Sequence, residues 1–478
     1  METIHLYNSL TRKIEELVPV TPGRIAIYAC GPTVWNYAHL GNFRTFLLGD
    51  LLRRYLEYLG YEVFQVMNLT DVDDRTIRAA NEVGSALRDY TTPFVRAFFE
   101  DRDYLRIEPA DVYPRATEYV EQMVSLVEQL IKKGLAYTAD DGSVYFAVDR
   151  FAGYGRLSQV ERRELQTGAR VASDEYAKED ARDFALWKSA SAEDERAGAA
   201  WDAPFGRGRP GWHLECSAMA LAEVEQRFGV RTLDIHVGGV DLIFPHHENE
   251  IAQSEGATGE PFAQLWMHGE FLLMEGTKMS KRFGNLLTVR DLKEEGVDPA
   301  AARMLMFSTH YRQQLNLTDN ALGAATEGIA RIGDVRKRLV QLAGNAAPGE
   351  CAPAVEMERD FRAAMNDDLN APQAVGAIFS FVRAINRDTR AEAPAVTEGY
   401  AAAALAALDR VLEVTQLTPG EREYDSEFVS WVEERIRARS DARKASNFGL
   451  ADDIRAELAA RGVELEDSPA GTSWKVRG

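Results

Sequence analysis

The chain has 478 residues, 45% of them apolar and 27% charged, the make-up of a globular protein with room for several domains. No apolar run approaches the ~18 residues of a membrane span, and the polar residues after Met1 offer no secretory leader, so a cytoplasmic protein is expected. A formal charge of −20 excludes general attraction to nucleic acid, yet Arg437, Arg439, Arg443 and Lys444 gather positive charge in one stretch, where a salt-sensitive contact with RNA stays open.

Arg24 to Ala29 is a short apolar run of β-formers and reads as a strand. Cys30 to Ala38 is a turn containing Gly and Pro. From Phe43 the apolar residues recur at helical spacing until Gly60, and Glu62 to Asn68 reads as a second strand. Strand, turn, helix, strand makes a βαβ unit with parallel strands. His39 and Asn42 then fall at the helix start, where free N–H groups favour an anion. Cys30 falls just past the first strand, and Thr70 past the second, at the sheet edge where ligands bind. The aspartates of Asp71-Val72-Asp73-Asp74 are read as helix caps.

Tyr119 to Lys133 is expected to be a helix, and Leu135 to Val148 a hairpin turning at Asp140-Asp141-Gly142. The stretch 155–207 is charged, Ala-rich and without periodicity, so irregular loops are expected there. Trp212 to Leu221 starts a helix, Thr232 to His236 is a strand, Val237 to Asp241 the turn after it, and Pro245 to Ala257 a helix with Pro at its start. Two strand–turn–helix halves are therefore expected. Asp291 to Tyr311 and Leu322 to Leu342 read as helical, Gly344 to Pro353 as a linker carrying Cys351, and Met357 to Asn386 and Tyr400 to Val414 as helices. Glu427 to Gly478 reads as a small α/β piece.

Three cysteines make no disulfide framework, and metal ligation is the expected use of a pair. His246 and Glu250 are four apart on a predicted helix and could hold a metal from one side. By spacing alone His247 with Glu250 would serve as well. Two buried free thiols are the plain alternative.

Two separated stretches carry a resemblance. His39-Leu40-Gly41-Asn42 and Lys278-Met279-Ser280-Lys281-Arg282 resemble the paired signature of class I aminoacyl-tRNA synthetases, with Asn42 in place of a second histidine and Arg282 in place of a final serine. Tyr28 to Val34, Gly208 to Ser217 and Phe244 to Glu250 narrow it to the cysteinyl-tRNA synthetase family, over the whole chain. The resemblance implies an α/β fold: a Rossmann-like parallel-sheet catalytic domain split by an insertion, then an α-helical bundle and a small C-terminal α/β anticodon-binding domain. The expected divisions are 1–117 and 211–262 for the catalytic halves, 118–210 for the insertion, which in the family meets the acceptor end of tRNA, 263–322 for the lysine-loop and stem-contact region, 323–420 for the bundle, with Asp367 to Pro372 at the family's matching place, and 421–478 for the end domain.

The same resemblance implies one Zn²⁺ per chain on Cys30, Cys216, His246 and Glu250. The competitor of cysteine is serine, which a pocket of matching size rejects only about a hundredfold. Zinc prefers a thiolate to a hydroxyl and would supply the rest. Four protein ligands normally close a zinc site, so Glu250 is expected to be the weakly held one. ATP with Mg²⁺ is expected at His39, Asn42, Gly239, Asp241, Lys278 and Lys281. His39, Asn42 and the two lysines would serve the chemistry, and the Ser/Gly setting of the lysines is that of a loop able to close on ATP. Thr70, Trp212 and His236 would complete the cysteine pocket. The implied partners are tRNA(Cys), ATP and L-cysteine, with no membrane, acting on a monomer. The alternatives are a ligase joining cysteine to an amino-sugar, disfavoured by the long chain beyond the linker, and a non-catalytic RNA-binding relative, disfavoured by intact His39, Lys278 and Lys281.

Overall fold

Four parallel strands, in the order β10-β9-β3-β4, form the sheet on which the site is built. The computed structural model describes residues 3–159, 182–278, 286–390, 396–420, 426–468 and 471–476. Ahead of the sheet lies a hairpin of β1 (His5–Asn8) and β2 (Lys13–Glu16), which the sequence pattern did not announce. β3 (Arg24–Ala29), α1 (Leu40–Tyr58) and β4 (Glu62–Met67) are the expected βαβ unit. Side chains alternate across β3: Ile25, Ile27 and Ala29 join the core that includes α1, whereas Ala26, Tyr28 and Cys30 join the core on the other face. Both faces are covered, as a parallel sheet requires, and the alternation sends Cys30 to the same core as Cys216.

Helices α2 (Asp74–Glu82), α3 (Leu87–Tyr104) and α4 (Val120–Lys132) follow. Asp73 caps α2 by accepting from the Thr76 N–H at 2.7 Å, so one aspartate of the early cluster is the cap expected of it. The expectation of irregular loops over 155–207 is corrected among the described residues. β5 (Ala136–Thr138), β6 (Val144–Phe146), β7 (Phe184–Ser189) and β8 (Gly208–Pro210) make an antiparallel sheet, and α5 (Ala192–Ala197) lies between its last two strands. β7 shows no alternation because its first five residues are all buried. α5 is held by a Ser191/Asp194 capping box and ends at Gly198 in the left-handed region, signals that outweigh its charge.

The second half consists of α6 (Trp212–Phe228), β9 (Leu233–Gly239), α7 (Glu248–Thr258) and β10 (Ala263–Gly269). β9 runs through the expected turn at Val237 to Gly239. The helix expected from Pro245 begins at Glu248, after a π-type turn over Ile243–His247 in which Phe244 is extended (φ −139°, ψ 132°), as the residue before a proline prefers. Beyond lie β11 (Leu272–Met274), β12 (Thr277–Lys278), α8 (Val289–Glu294), α9 (Pro299–Phe307), β13 (Leu315–Leu317), α10 (Asp319–Ala343), α11 (Ala352–Asn366), α12 (Ala371–Asp388) and α13 (Glu398–Thr415). The single helix expected from Met357 to Asn386 is two, broken where Asp368 and Leu369 take φ of 56° and 48°. Gly344 to Pro353 connects two helices of one compact unit, Met1–Pro419, so it is no domain boundary. The second unit, Gly420–Gly478, contains α14 (Ser426–Lys444), α15 (Phe448–Ala460) and the hairpin β14 (Val463–Ser468)–β15 (Gly471–Val476) around Val432, Ile454, Leu458 and Val463. Arg439, grouped above with a surface cluster, is buried.

One ion pair locks the main unit. Arg303 on α9 and Asp50 on α1 are fully buried, 2.6 Å apart. Arg303 also donates to the carbonyls of Thr415 and Leu105, each at 3.0 Å, while Asp50 accepts from Arg54 at 3.0 Å and from the Glu108 N–H at 2.8 Å. Removing one partner strands the other charge. Asp50→Ala is expected to lower stability by about 3–5 kcal/mol, and the double change Asp50→Leu with Arg303→Met to recover most of it, as read from urea unfolding midpoints.

Candidate active site and metal-ligand cluster

The parallel register sets Tyr28 beside His236 and Ala29 beside Val237, so Cys30, the next residue, leaves the sheet beside the last residues of β9. The Cys30 N–H donates to the Val237 carbonyl at 3.0 Å. Gly31 follows, its N–H donating to the Asn68 side-chain oxygen at 2.8 Å. A Cβ on Gly31 would lie 1.8 Å from the Asn68 carbonyl oxygen, so no larger residue fits here. Cys216 comes from the second turn of α6, and His246 and Glu250 bracket the start of α7.

Among the described residues, one ligand atom each from Cys30, Cys216, His246 and Glu250 lie within 4.8 Å of one another, and all four residues are buried. An overlapping set, Cys30, His236, His247 and Glu250, meets the same limit. Glu250 is the shared member: Oε1 is 2.7 Å from His246 Nε2 and Oε2 is 2.6 Å from His236 Nε2. Three further imidazoles back the cluster. His213 Nδ1 is 2.9 Å from His246 Nδ1, His247 Nε2 is 3.4 Å from Cys30 Sγ, and His268 joins His247 to Ser9 through two 2.8 Å contacts.

Burial and charge oppose each other in this cluster. Burial pushes the Cys30 thiol up, and the neighbouring Cys216 adds to it. Cys216 is pulled down to about 6, chiefly by a hydrogen bond from Cys30. Burial depresses His246, but Glu250 and Cys216 outweigh it and lift the ring to about 10. Burial would raise Glu250, yet His236 and His246 hold it well below the carboxylate range. His213 and His247 are driven down by burial, and His268 to about 3.

The cluster forms one wall of a cavity of about 380 Å³. Cys30, Cys216, His246, Thr70 and Trp212 line it, and Trp212 stacks on His246 at 4.4 Å. His39, Asn42, Gly239 and Asp241 line it further out. Asn42 accepts from the His39 N–H at 3.1 Å, a capping contact that an Asn makes at this position of the helix. His236 departs from expectation: it is fully buried behind Glu250, stacked on Trp266 at 4.6 Å, and absent from the cavity wall. The two histidines left open by spacing are placed differently. His246 faces the cavity with both cysteines, whereas His247 is turned behind them toward His268. Sequence reasoning gave no role to His213 or His268, and weighed His247 only as the alternative to His246. The signal was there in usage, since five of the chain's eight histidines (His213, His236, His246, His247 and His268) gather here.

Residues 16–327 match the family profile described as tRNA synthetases class I (C) catalytic domain, and residues 360–416 that of the DALR domain. Proteins named cysteine–tRNA ligase are 42% identical from Protochlamydia amoebophila (99% of this chain, 98% of the relative) and 43% identical from Symbiobacterium thermophilum (99% of each). The chain belongs to the class I aminoacyl-tRNA synthetases, in the cysteine–tRNA ligase family. Its fold is also that of a Mycobacterium tuberculosis methionyl-tRNA synthetase solved with methionyl-adenylate (TM-score 0.59, 15% identity, 82% of this chain and 90% of that one). A putative arginyl-tRNA synthetase from Campylobacter jejuni gives a TM-score of 0.57 at 12% identity, covering 82% of this chain and 92% of that one.

In this synthetase the backbone of Lys278 ends β12, whereas Lys281 lies outside the described residues. The crevice depends on the tight turn after Cys30. Gly31→Ala is expected to cost about 1–3 kcal/mol or more through overpacking against the Asn68 backbone, and to lower ATP–pyrophosphate exchange by displacing Cys30. An unfolding midpoint and exchange rate equal to the wild type's would contradict that reading of the turn.

Proposed function

We propose that the chain activates L-cysteine with ATP and transfers it to the 3′ end of tRNA(Cys). The observation that carries this reading is the convergence of two thiols and an imidazole on the wall of a cavity that also receives the start of α1, with the Glu250 carboxylate buried beside them. The donor set suits zinc: sulfur and imidazole ligands favour it over magnesium, and the low Cys216 pKa favours the thiolate that ligates. Cys30, Cys216, His246 and Glu250 would hold the ion. When bound, zinc would supply affinity for a substrate thiolate over a serine hydroxyl. Glu250 is the ligand with competing partners, His236 and His246, which suits the weakly held position.

In the first step a carboxylate oxygen of cysteine attacks the α-phosphorus of ATP and pyrophosphate leaves. The protein contributes alignment and charge stabilisation. Thr70 and Trp212 would bound the amino acid. The α1 N-terminus, with His39 and Asn42, would face the phosphates, joined by Lys278 and Lys281, with Mg²⁺ accompanying ATP. Gly239 and Asp241 would meet the nucleoside. In the second step a ribose hydroxyl of tRNA attacks the carbonyl carbon and AMP leaves.

Pyrophosphate exchange tested with each amino acid is expected to proceed with cysteine and to reject serine. Cys216→Ser is expected to lose both bound zinc, read by atomic absorption, and cysteine activation. A zinc-free variant that still activates cysteine and rejects serine would remove the metal from the discrimination.

The unit Gly420–Gly478 is the natural place to separate the two half-reactions. A chain ending at Pro419, checked for folding by circular dichroism, is expected to keep pyrophosphate exchange and to lose most of its tRNA charging. A folded truncation that charges tRNA as well as the full chain would deny the end unit a part in tRNA recognition.

A further inference from the structure

The cavity has a third sector that neither cysteine nor ATP accounts for. Cysteine would occupy the wall of Cys30 and Cys216, and ATP the side of Gly239 and Asp241, which follow β9. Trp35, Asn36 and Arg75 also line this cavity, and Arg75 belongs to the β4 end of the sheet. The strand order β9-β3-β4 explains the separation, because Arg75 lies on α2, just after β4. Trp35 is firmly mounted. Its carbonyl accepts from the Tyr90 hydroxyl at 2.9 Å. Arg75 lies with its guanidinium carbon 5.7 Å from the indole centroid and is itself fixed by Asp73 at 2.9 Å and Thr33 at 3.3 Å.

An aromatic ring at a cavity mouth, backed by a half-exposed guanidinium, is chemistry that receives a nucleobase. We infer that Trp35 is the stacking platform for the terminal base of the tRNA, making it a positioning and specificity residue for the transfer step; this rests on the aminoacylation reading above. The attacking hydroxyl belongs to the terminal ribose and must reach the adenylate carbonyl between the two occupied sectors. The base on that ribose therefore lies within one nucleoside of the carbonyl, and the Trp35 side is the sector left for it. On that reading ATP's own base would lie across β3, on the side of Gly239 and Asp241.

The test compares two non-accepting tRNAs as inhibitors of charging: one with its terminal ribose oxidised and reduced, and one lacking the terminal adenosine. The wild type is expected to bind the first more tightly than the second. Trp35→Ala is expected to bring that ratio close to one and to reduce kcat/KM for tRNA by about five- to a hundredfold, the range of a lost base–aromatic stack. Its loss in transfer is expected to exceed its loss in pyrophosphate exchange. Trp35→Phe, which keeps an aromatic face, is expected to restore most of the ratio, and it serves as the decisive variant if the alanine form does not fold. A ratio unchanged in Trp35→Ala, or a raised KM for ATP with the ratio intact, overturns the inference. A wild type that charges no tRNA with cysteine overturns the parent reading and this one with it.

Discussion

The buried pair of Asp50 and Arg303 is the constraint on which the main unit turns. A guanidinium with no exposed surface must find its partners inside, and Arg303 finds them on α1, at the end of α3 and at the end of α13. Its desolvation makes the arrangement costly to leave half-formed. The helix that offers its N-terminus to the cavity is thereby tied to the helices that follow the catalytic sheet. A displacement of α13 would be felt by α1 without passing through the sheet.

The site follows a second rule of the same kind, in which one carboxylate organises several rings. Glu250 divides its oxygens between His236 and His246, and each oxygen fixes the Nε2 edge of one imidazole. The remaining rings are kept neutral by burial and act as spacers with polar edges. Trp212 and Trp266 close the stack on either side, against His246 and His236. Two overlapping donor sets are the outcome, of which one faces the cavity.

Much of this was legible in the sequence. The strand at Arg24 to Ala29 is found with those limits, because a run of apolar β-formers between Gly23 and the Gly31-Pro32 turn permits little else. The ligand quartet came from motifs rather than periodicity, and space brought it together. What escaped had physical causes. β7 lacked an alternating pattern because both its faces are buried, so neighbouring charge set the reading. The break at Asp368 has no glycine at its left-handed positions, but Asn370 as cap and Pro372 in the first turn of α12 mark it, signals that the apolar stripes on either side outweighed in the reading. His236 was expected in the cysteine pocket from the resemblance, yet its side chain meets Glu250 behind the cavity wall. Gly344 to Pro353 had linker composition, but composition does not reveal that α10 and α11 share one core.

Asp368 has a consequence for how the chain assembles. Its carboxylate accepts from the Tyr7 N–H at 2.8 Å, a bond that spans 361 residues, and its own N–H donates to the His5 carbonyl at 2.9 Å. The side-chain oxygens also take the Tyr311 hydroxyl and the Arg312 guanidinium, so one residue in the left-handed region fastens the first strand to the corner between two late helices. Contacts of such separation offer no reward until the intervening chain is ordered. On the ribosome the first strand to be made is thus among the last to be secured. That fastening waits for three quarters of the polypeptide to emerge, and until then β1 and β2 rely on their local pairing and on β10, whose Gln264 and Trp266 hydrogen-bond Asn8 and Ser9.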